Sequence, residues 1–204
     1  MLNKVRSLVQ NKKLISERRD KIIDASLELF LTKGYSNTGM RDIAKACEMQ
    51  LGSIYNYIGK KSDILHLICL REKGSIKILI GKIKNLGDID TYQKLRLVIK
   101  TYAEDTINLG NLILFFNLEI KNFSKRDRTI LLQSQLDHFD FFTNLINEGV
   151  AEGVFKKNNS RFVAHSILLI PHDWLLRRWA LKKYLTVDDY IAEYIKMIMK
   201  SIEV

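Results

Sequence analysis

Residues 38–61, TGMRDIAKACEMQLGSIYNYIGKK, hold the side chains whose types and spacing carry chemistry. The spacing predicts two short helices, 40–47 and 51–57, separated by Glu48-Met49-Gln50. Ile54 and Ile58 are placed to pack back onto Ile43 and Ala44, which makes the pair a helix-turn-helix. In such a motif the second helix enters the major groove and offers its first residues to base edges. Leu51, Gly52, Ser53 and Asn56 lie at that leading end or along its outer face. Gly52 has no side chain to hold a duplex away. Tyr55, Tyr57, Lys60 and Lys61 follow, with phenol and ammonium groups of the kind that bond phosphate oxygens and fix register. Lys61 also opens the next helix, whose N-terminal amides favour a phosphate. Thr38 and Gly39 precede the first short helix and offer a hydroxyl and amides to a DNA backbone.

Other chemistry is poorly supplied. His165 and His172 stand seven apart, and His138 lies between Asp137 and Asp140, but neither pattern has tight metal-ligand spacing. Cys47 and Cys69 are the only cysteines, too few for a disulfide scaffold, and neither has an activating neighbour in sequence. No nucleophile–base arrangement or glycine-rich phosphate loop occurs, so neither an enzyme nor a bound cofactor is expected. Aromatic residues crowd the centre: Phe115, Phe116, Phe123, Phe139, Phe141, Phe142 and Trp174. Such a set suits the wall of an apolar pocket or an ordinary core.

These side chains need a scaffold, and the composition specifies its class. The chain has 204 residues, with 47% hydrophobic, 27% charged, one proline and ten glycines. That mixture excludes a disordered chain and predicts an all-α fold. A helix is predicted from near Ser16 to Gly34, with Ile22, Ile23, Ser26, Leu29 and Phe30 on one side. Longer helices are predicted at 62–84, 91–107, 110–122, 125–153, 160–183 and 187–202. Ser124-Lys-Arg-Asp127 and Thr186-Val-Asp-Asp189 have the form of helix starts. Residues 85–90 and 156–160 are polar breaks. The net charge is +10, and residues 1–65 carry 12 Lys+Arg against 7 Asp+Glu. A positively charged partner-binding end suits a polyanion. No apolar run is long enough to span a membrane, and the first residues lack a signal-peptide pattern, so the expected location is the cytoplasm.

Residues 18–65 resemble the DNA-binding domain of the TetR family of bacterial transcriptional regulators. The resemblance rests on Ile22-Ile23-x-Ala25, Leu29-Phe30, Lys33-Gly34-Tyr35, Thr38, Asp42-Ile43-Ala44, Gly52-Ser53-Ile54-Tyr55-x-Tyr57-Ile58, Lys61 and Ile64-Leu65. It implies base contacts from Arg41, Leu51, Gly52, Ser53 and Asn56, and phosphate contacts from Thr38, Tyr55, Tyr57 and Lys61. Departures from the family pattern are Glu48, where the turn usually has glycine, Gln50 and Lys60 at usual serine caps, and Gly39 at a usual Ser/Thr cap.

The charge pattern marks a basic arm over 1–15, and the resemblance implies a three-helix DNA-binding domain over 16–65 and a helical effector-binding and dimerisation domain over 66–204. The arm (Lys4, Arg6, Lys12, Lys13) reads as a mobile extension toward DNA. Leu168, His172, Leu175, Leu176 and Trp179 recur at helical spacing, as do Ile191, Tyr194, Ile195, Ile198 and Ile202; of these, Leu168, Leu175, Trp179, Ile191, Ile195 and Ile198 form the expected dimer interface. Phe115, Phe116, Phe139, Phe142 and Trp174 form the expected effector pocket. Segment 172–181 with Tyr190 and Tyr194 is similar to members that sense fatty acyl-CoA, and Arg177 and Arg178 are candidates for a ligand phosphate or for acidic groups of a second subunit. The implied function is a homodimeric repressor, released from a palindromic double-stranded operator by a small apolar or acyl-type ligand. The alternative is an all-α lipid- or acyl-CoA-binding protein or enzyme with a vestigial helix-turn-helix.

Overall fold

A computed structural model describes residue 5 and residues 7–84 and 89–204, without the side chains of 75, 76, 83 and 84. Lys4 and Arg6 of the basic arm, and most of the polar break at 85–90, lie outside the described residues. The described residues form helices α1 (Lys12–Lys33), α2 (Met40–Ala46), α3 (Leu51–Tyr55), α4 (Lys61–Lys84), α5 (Thr91–Asn108), α6 (Gly110–Glu119), α7 (Lys125–Ala151), α8 (Ser160–Leu181) and α9 (Val187–Ile202). A single 3-10 turn, Ile120–Asn122, follows α6, and no strand occurs among the described residues.

Local chemistry explains the helix boundaries. α1 starts four residues earlier than its hydrophobic pattern, because the Asn11 side chain accepts the Leu14 N–H at 3.1 Å. It ends at Gly34, whose φ of 84° suits glycine. The expected starts of α7 and α9 are capped: the hydroxyls of Ser124 and Thr186 accept the N–H of Asp127 and Asp189, each at 3.1 Å. At α4, Asp63 accepts the N–H of Gly59 and of Lys60 at 2.8 and 3.0 Å, replacing a serine cap.

The chain divides into two compact units: Met1–Lys73 with Asn111–Leu132, and Gly74–Gly110 with Gln133–Val204. The first unit therefore takes in the start of α4 and nearly all of α6, beyond the expected limit at residue 65. Its core joins Ile22, Phe30, Ile43, Ile54, Ile58 and Ile68 to Phe115 and Phe123. Phe115 stacks on Phe30 with centroids 5.4 Å apart, and Phe116 lies 5.8 Å from Phe123.

In the second unit α5, α8 and α9 pack against one another. Phe142 meets Tyr102 edge-on at 5.4 Å, and Trp174 lies 5.1 Å from Tyr190. The Tyr190 hydroxyl bonds Asp173 at 2.8 Å, and Asp173 also pairs with Arg177 one turn on. Arg177 thus has an acidic partner in its own helix.

Candidate nucleic-acid interface

The turn between α2 and α3 is closed by backbone bonds. Met49 N–H reaches the Ala44 carbonyl at 2.9 Å and Glu48 N–H reaches Lys45 at 3.1 Å, the two bonds of a Schellman ending. That ending needs a left-handed residue, and Glu48 takes it with φ 53°. The family's usual glycine is thus replaced by a residue strained at the same position. Gly39, with no side chain to cap α2, gives its N–H to the Asp42 carboxylate at 2.8 Å. This bond, then the Lys33 ammonium, holds the Asp42 carboxyl below the usual carboxylate range.

One side of α3 is sealed. Ile54 and the following Ile58 are fully buried against Ile43, Cys47 and Ile22. The opposite side is open: Gly52 and Arg41 are exposed, Tyr55 is 43% exposed, and Leu51, Ser53 and Asn56 are half-buried. A Cβ added at Gly52 would meet nothing within 4 Å. Nothing inside the chain requires glycine there. All five proposed base-reading positions keep access to solvent.

The four phosphate candidates divide differently. Tyr55 is exposed as expected. Thr38 is 1% exposed, and its hydroxyl donates inward to the Gly34 carbonyl at 2.9 Å. It satisfies a carbonyl left over at the end of α1, so its side chain is not presented to a backbone outside. Tyr57 is buried in the core. The Lys61 ammonium bonds the carbonyls of Tyr35 and Thr38 at 2.7 and 2.9 Å and lies 4.2 Å from the Tyr35 ring centroid. It ties the start of α4 to the α1–α2 turn.

Glu119, at the end of α6, accepts the Tyr35 N–H of that turn at 3.1 Å. Burial, then the Glu119 charge, pushes the Tyr35 phenol up. Sequence reasoning missed Glu119, because 84 residues separate it from its partner and no local pattern signals the contact. It also missed His66, whose Nδ1 lies 2.6 Å from Asp127 in a buried pair completed by Ser124.

The basic arm is corrected in part. Lys12 and Lys13 lie on α1, and Val5, Ser7 and Leu8 are bonded to the protein: Leu8 N–H reaches the Asn56 carbonyl at 2.8 Å. Both cysteines are buried and burial pushes both thiols up, which disfavours the reactive thiolate.

The five pocket candidates fall in both units. Phe115 and Phe116 belong to the first; Phe139, Phe142 and Trp174 belong to the second. Phe115, Phe142 and Trp174 are buried in aromatic packing, and Phe139 carries the Arg161 guanidinium 5.1 Å from its centroid. The dimer stripe is also revised. Leu175, Ile191, Ile195 and Ile198 are buried within their own unit, since α9 turns its apolar face onto α5 and α8. Leu168 is half-buried and Trp179 is 69% exposed. The free apolar ridge of α8 consists of Phe162, Leu169, Leu176 and Trp179.

Comparison with known proteins agrees with this architecture. The model of bacterial regulatory proteins of the tetR family matches residues 22–68, and that of the tetracyclin repressor-like C-terminal domain matches residues 88–202. The chain is 25% identical to the HTH-type transcriptional regulator HbdR of Aromatoleum sp. (strain CIB) over 196 residues, 96% of this chain and 85% of that one. A bacterial regulatory protein in the tetR family from Rhodococcus RHA1 superposes with a TM-score of 0.77 at 21% identity, covering 92% of this chain and 97% of the other. AibR, solved in complex with isovaleryl coenzyme A and operator DNA, superposes with a TM-score of 0.71 at 17% identity, covering 88% and 97%. At such identities the two structures speak for the fold. The C-terminal match alone spans more than half of the sequence, and with the helix-turn-helix match before it the chain belongs to the TetR family of bacterial regulatory proteins.

Proposed function

We propose that this chain is a transcriptional repressor that binds a palindromic operator as a homodimer and leaves it when a small acyl-type ligand binds. The single observation that carries the DNA reading is α3 itself. One side is locked into the core, and the other presents Gly52, Ser53, Tyr55 and Asn56, with Gly52 open to close approach. Arg41, Leu51, Gly52, Ser53 and Asn56 read base edges, and Tyr55 bonds phosphate. Lys61 retains one ammonium proton beyond its two carbonyl bonds, and it serves the backbone contact from that anchored position. A regulator acting on bacterial DNA works in the cytoplasm; among the described residues no helix is long and apolar enough to cross a membrane.

The acyl-type ligand is supported by AibR, whose structure holds isovaleryl coenzyme A. The interior of the second unit is rich in aromatic side chains, among them Tyr102, Phe141, Phe142 and Trp174, the apolar company that an acyl chain needs. α4 and α7 each continue from one unit into the other, which gives a ligand-induced shift a covalent route to α3. A ligand shifts the equilibrium only by its difference in affinity for the two states.

The test starts with selection of duplexes from a random-sequence pool. The reading expects a two-fold symmetric sequence and tight, salt-dependent binding. Titration of that complex with short- and long-chain acyl-CoAs, followed by fluorescence anisotropy, expects release by one chain-length class. Recovery of no preferred duplex would overturn the repressor, and acyl-CoA turnover would favour an enzyme.

A further inference from the structure

The strongest unexplained cluster lies behind α3. α3 has five residues, and its N-cap Gln50 makes no side-chain cap bond. A helix this short has little stability of its own. Ile54 and Ile58 anchor one side, which leaves rotation about that apolar contact to be fixed by something else. The carbonyls just past α3 are the available handles, since the last carbonyls of a helix lack intrahelical partners. Both are taken. Leu8 N–H and the Ser7 hydroxyl reach the Asn56 carbonyl at 2.8 and 3.0 Å. Arg19 Nε reaches the Tyr57 carbonyl at 3.0 Å, and its Nη2 reaches the Val5 carbonyl at 2.8 Å. Val5 and Val9 pack against the same core, on either side of Ser7 and Leu8.

We infer that Val5, Ser7, Leu8 and Val9, with Arg19, form a strap that positions the reading helix, so that operator recognition depends on residues that touch no base. This inference rests on the DNA-binding role proposed above. Arg19 is the central positioning residue, because its planar guanidinium spans the strap and the carbonyl after α3 at once. A lysine has one head group and cannot make both bonds with the same geometry. The strap acts on discrimination between sequences rather than on attraction to phosphate.

The experiment compares wild type with Arg19→Ala, Arg19→Lys and a chain lacking residues 1–8. Each is titrated against the selected operator and a random duplex of equal length over a range of salt. Loss of positioning lowers the preference for operator over random duplex by about tenfold in Arg19→Ala, the scale of one well-placed base contact. Arg19→Lys falls between, and the slope of log Kd on log salt stays unchanged. A slope smaller by about 0.9, with equal weakening on both duplexes, makes Arg19 a phosphate contact and overturns the proposal. An unchanged preference also overturns it. Hydrogen exchange of the DNA-free proteins supplies the second readout: amides 53–58 exchange faster in Arg19→Ala while those of α1 do not. If wild type selects no duplex, the DNA-binding reading fails, and exchange at 53–58 still decides whether the strap holds α3. Should Arg19→Ala melt at a much lower temperature, the truncated chain carries the test, since it keeps the Arg19–Tyr57 bond.

Discussion

Gly52 separates what folding needs from what recognition needs. It sits inside α3 with open space around a hypothetical Cβ. Replacing glycine by alanine within a helix stabilises by roughly 0.5–1 kcal/mol. Gly52→Ala is therefore expected to melt slightly higher than wild type. In the proposed DNA complex the added methyl would stand where a base or phosphate approaches, so the same variant is expected to bind the selected operator at least about tenfold more weakly, the scale of a lost base contact. Paired melting and anisotropy curves check this; unchanged binding would remove Gly52 from the interface. Glu48 gives the converse case. An L-residue held at φ 53° is strained by roughly 1–2 kcal/mol, while glycine there costs roughly 0.5–1 kcal/mol through the freer unfolded chain. The Lys21–Glu48 pair is exposed and 3.6 Å long, and contributes little. Glu48→Gly is expected to raise stability by about 0.5 kcal/mol, read from the urea midpoint, with the denaturant slope unchanged.

At the scale of elements, Lys61 decides between two roles. Its ammonium holds two backbone carbonyls of the α1–α2 turn, and Glu119 holds the Tyr35 amide of the same turn. Charge-assisted hydrogen bonds contribute roughly 1.5–3 kcal/mol each. Lys61→Met is expected to destabilise the first unit by about 2–3 kcal/mol in urea without any DNA present. A lysine serving phosphate alone would leave that transition unmoved. The elements themselves were legible in the sequence. The periodicity of α4 to α9, the Ser124 and Thr186 caps and the helix-turn-helix spacing are local signals. What was not legible is mostly long-range: Arg19 and Glu119 find backbone partners far along the chain. The Asn11 cap and the inward Thr38 hydroxyl are bonds to near neighbours, but neither lies on an apolar stripe that would mark it. Aromatic packing was ambiguous for a related reason. Phe115 and Phe142 fill separate units, and a count of aromatics in a central stretch does not distinguish a core from a pocket wall.

For the whole molecule, α8 poses the remaining demand. It is apolar on two sides. Ile167, Ile170, Trp174 and Leu175 face the second unit's core, while Phe162, Leu169, Leu176 and Trp179 stay outside, three of them more than half exposed. A second apolar face, beyond the one that its own unit's core covers, marks a surface that meets another protein. The outer ridge of α8 is thus the face expected to meet a second copy, in an isologous contact where each residue sees the same patch. The requirement is functional as well, since a palindrome offers two half-sites about 34–36 Å apart and one chain reads one of them. Leu176→Glu with Trp179→Glu leaves the inner face of α8 intact, so its far-ultraviolet circular dichroism is expected to match wild type. Sedimentation is expected to show a monomer at concentrations where wild type is a dimer. Operator affinity is expected to fall by several orders of magnitude, because the second half-site no longer binds at the high effective concentration that linkage provides. A double variant that stays dimeric assigns the contact elsewhere. One that becomes monomeric yet keeps full operator affinity would mean that a single α3 suffices, and the two-fold symmetry of the proposed repressor would be unnecessary.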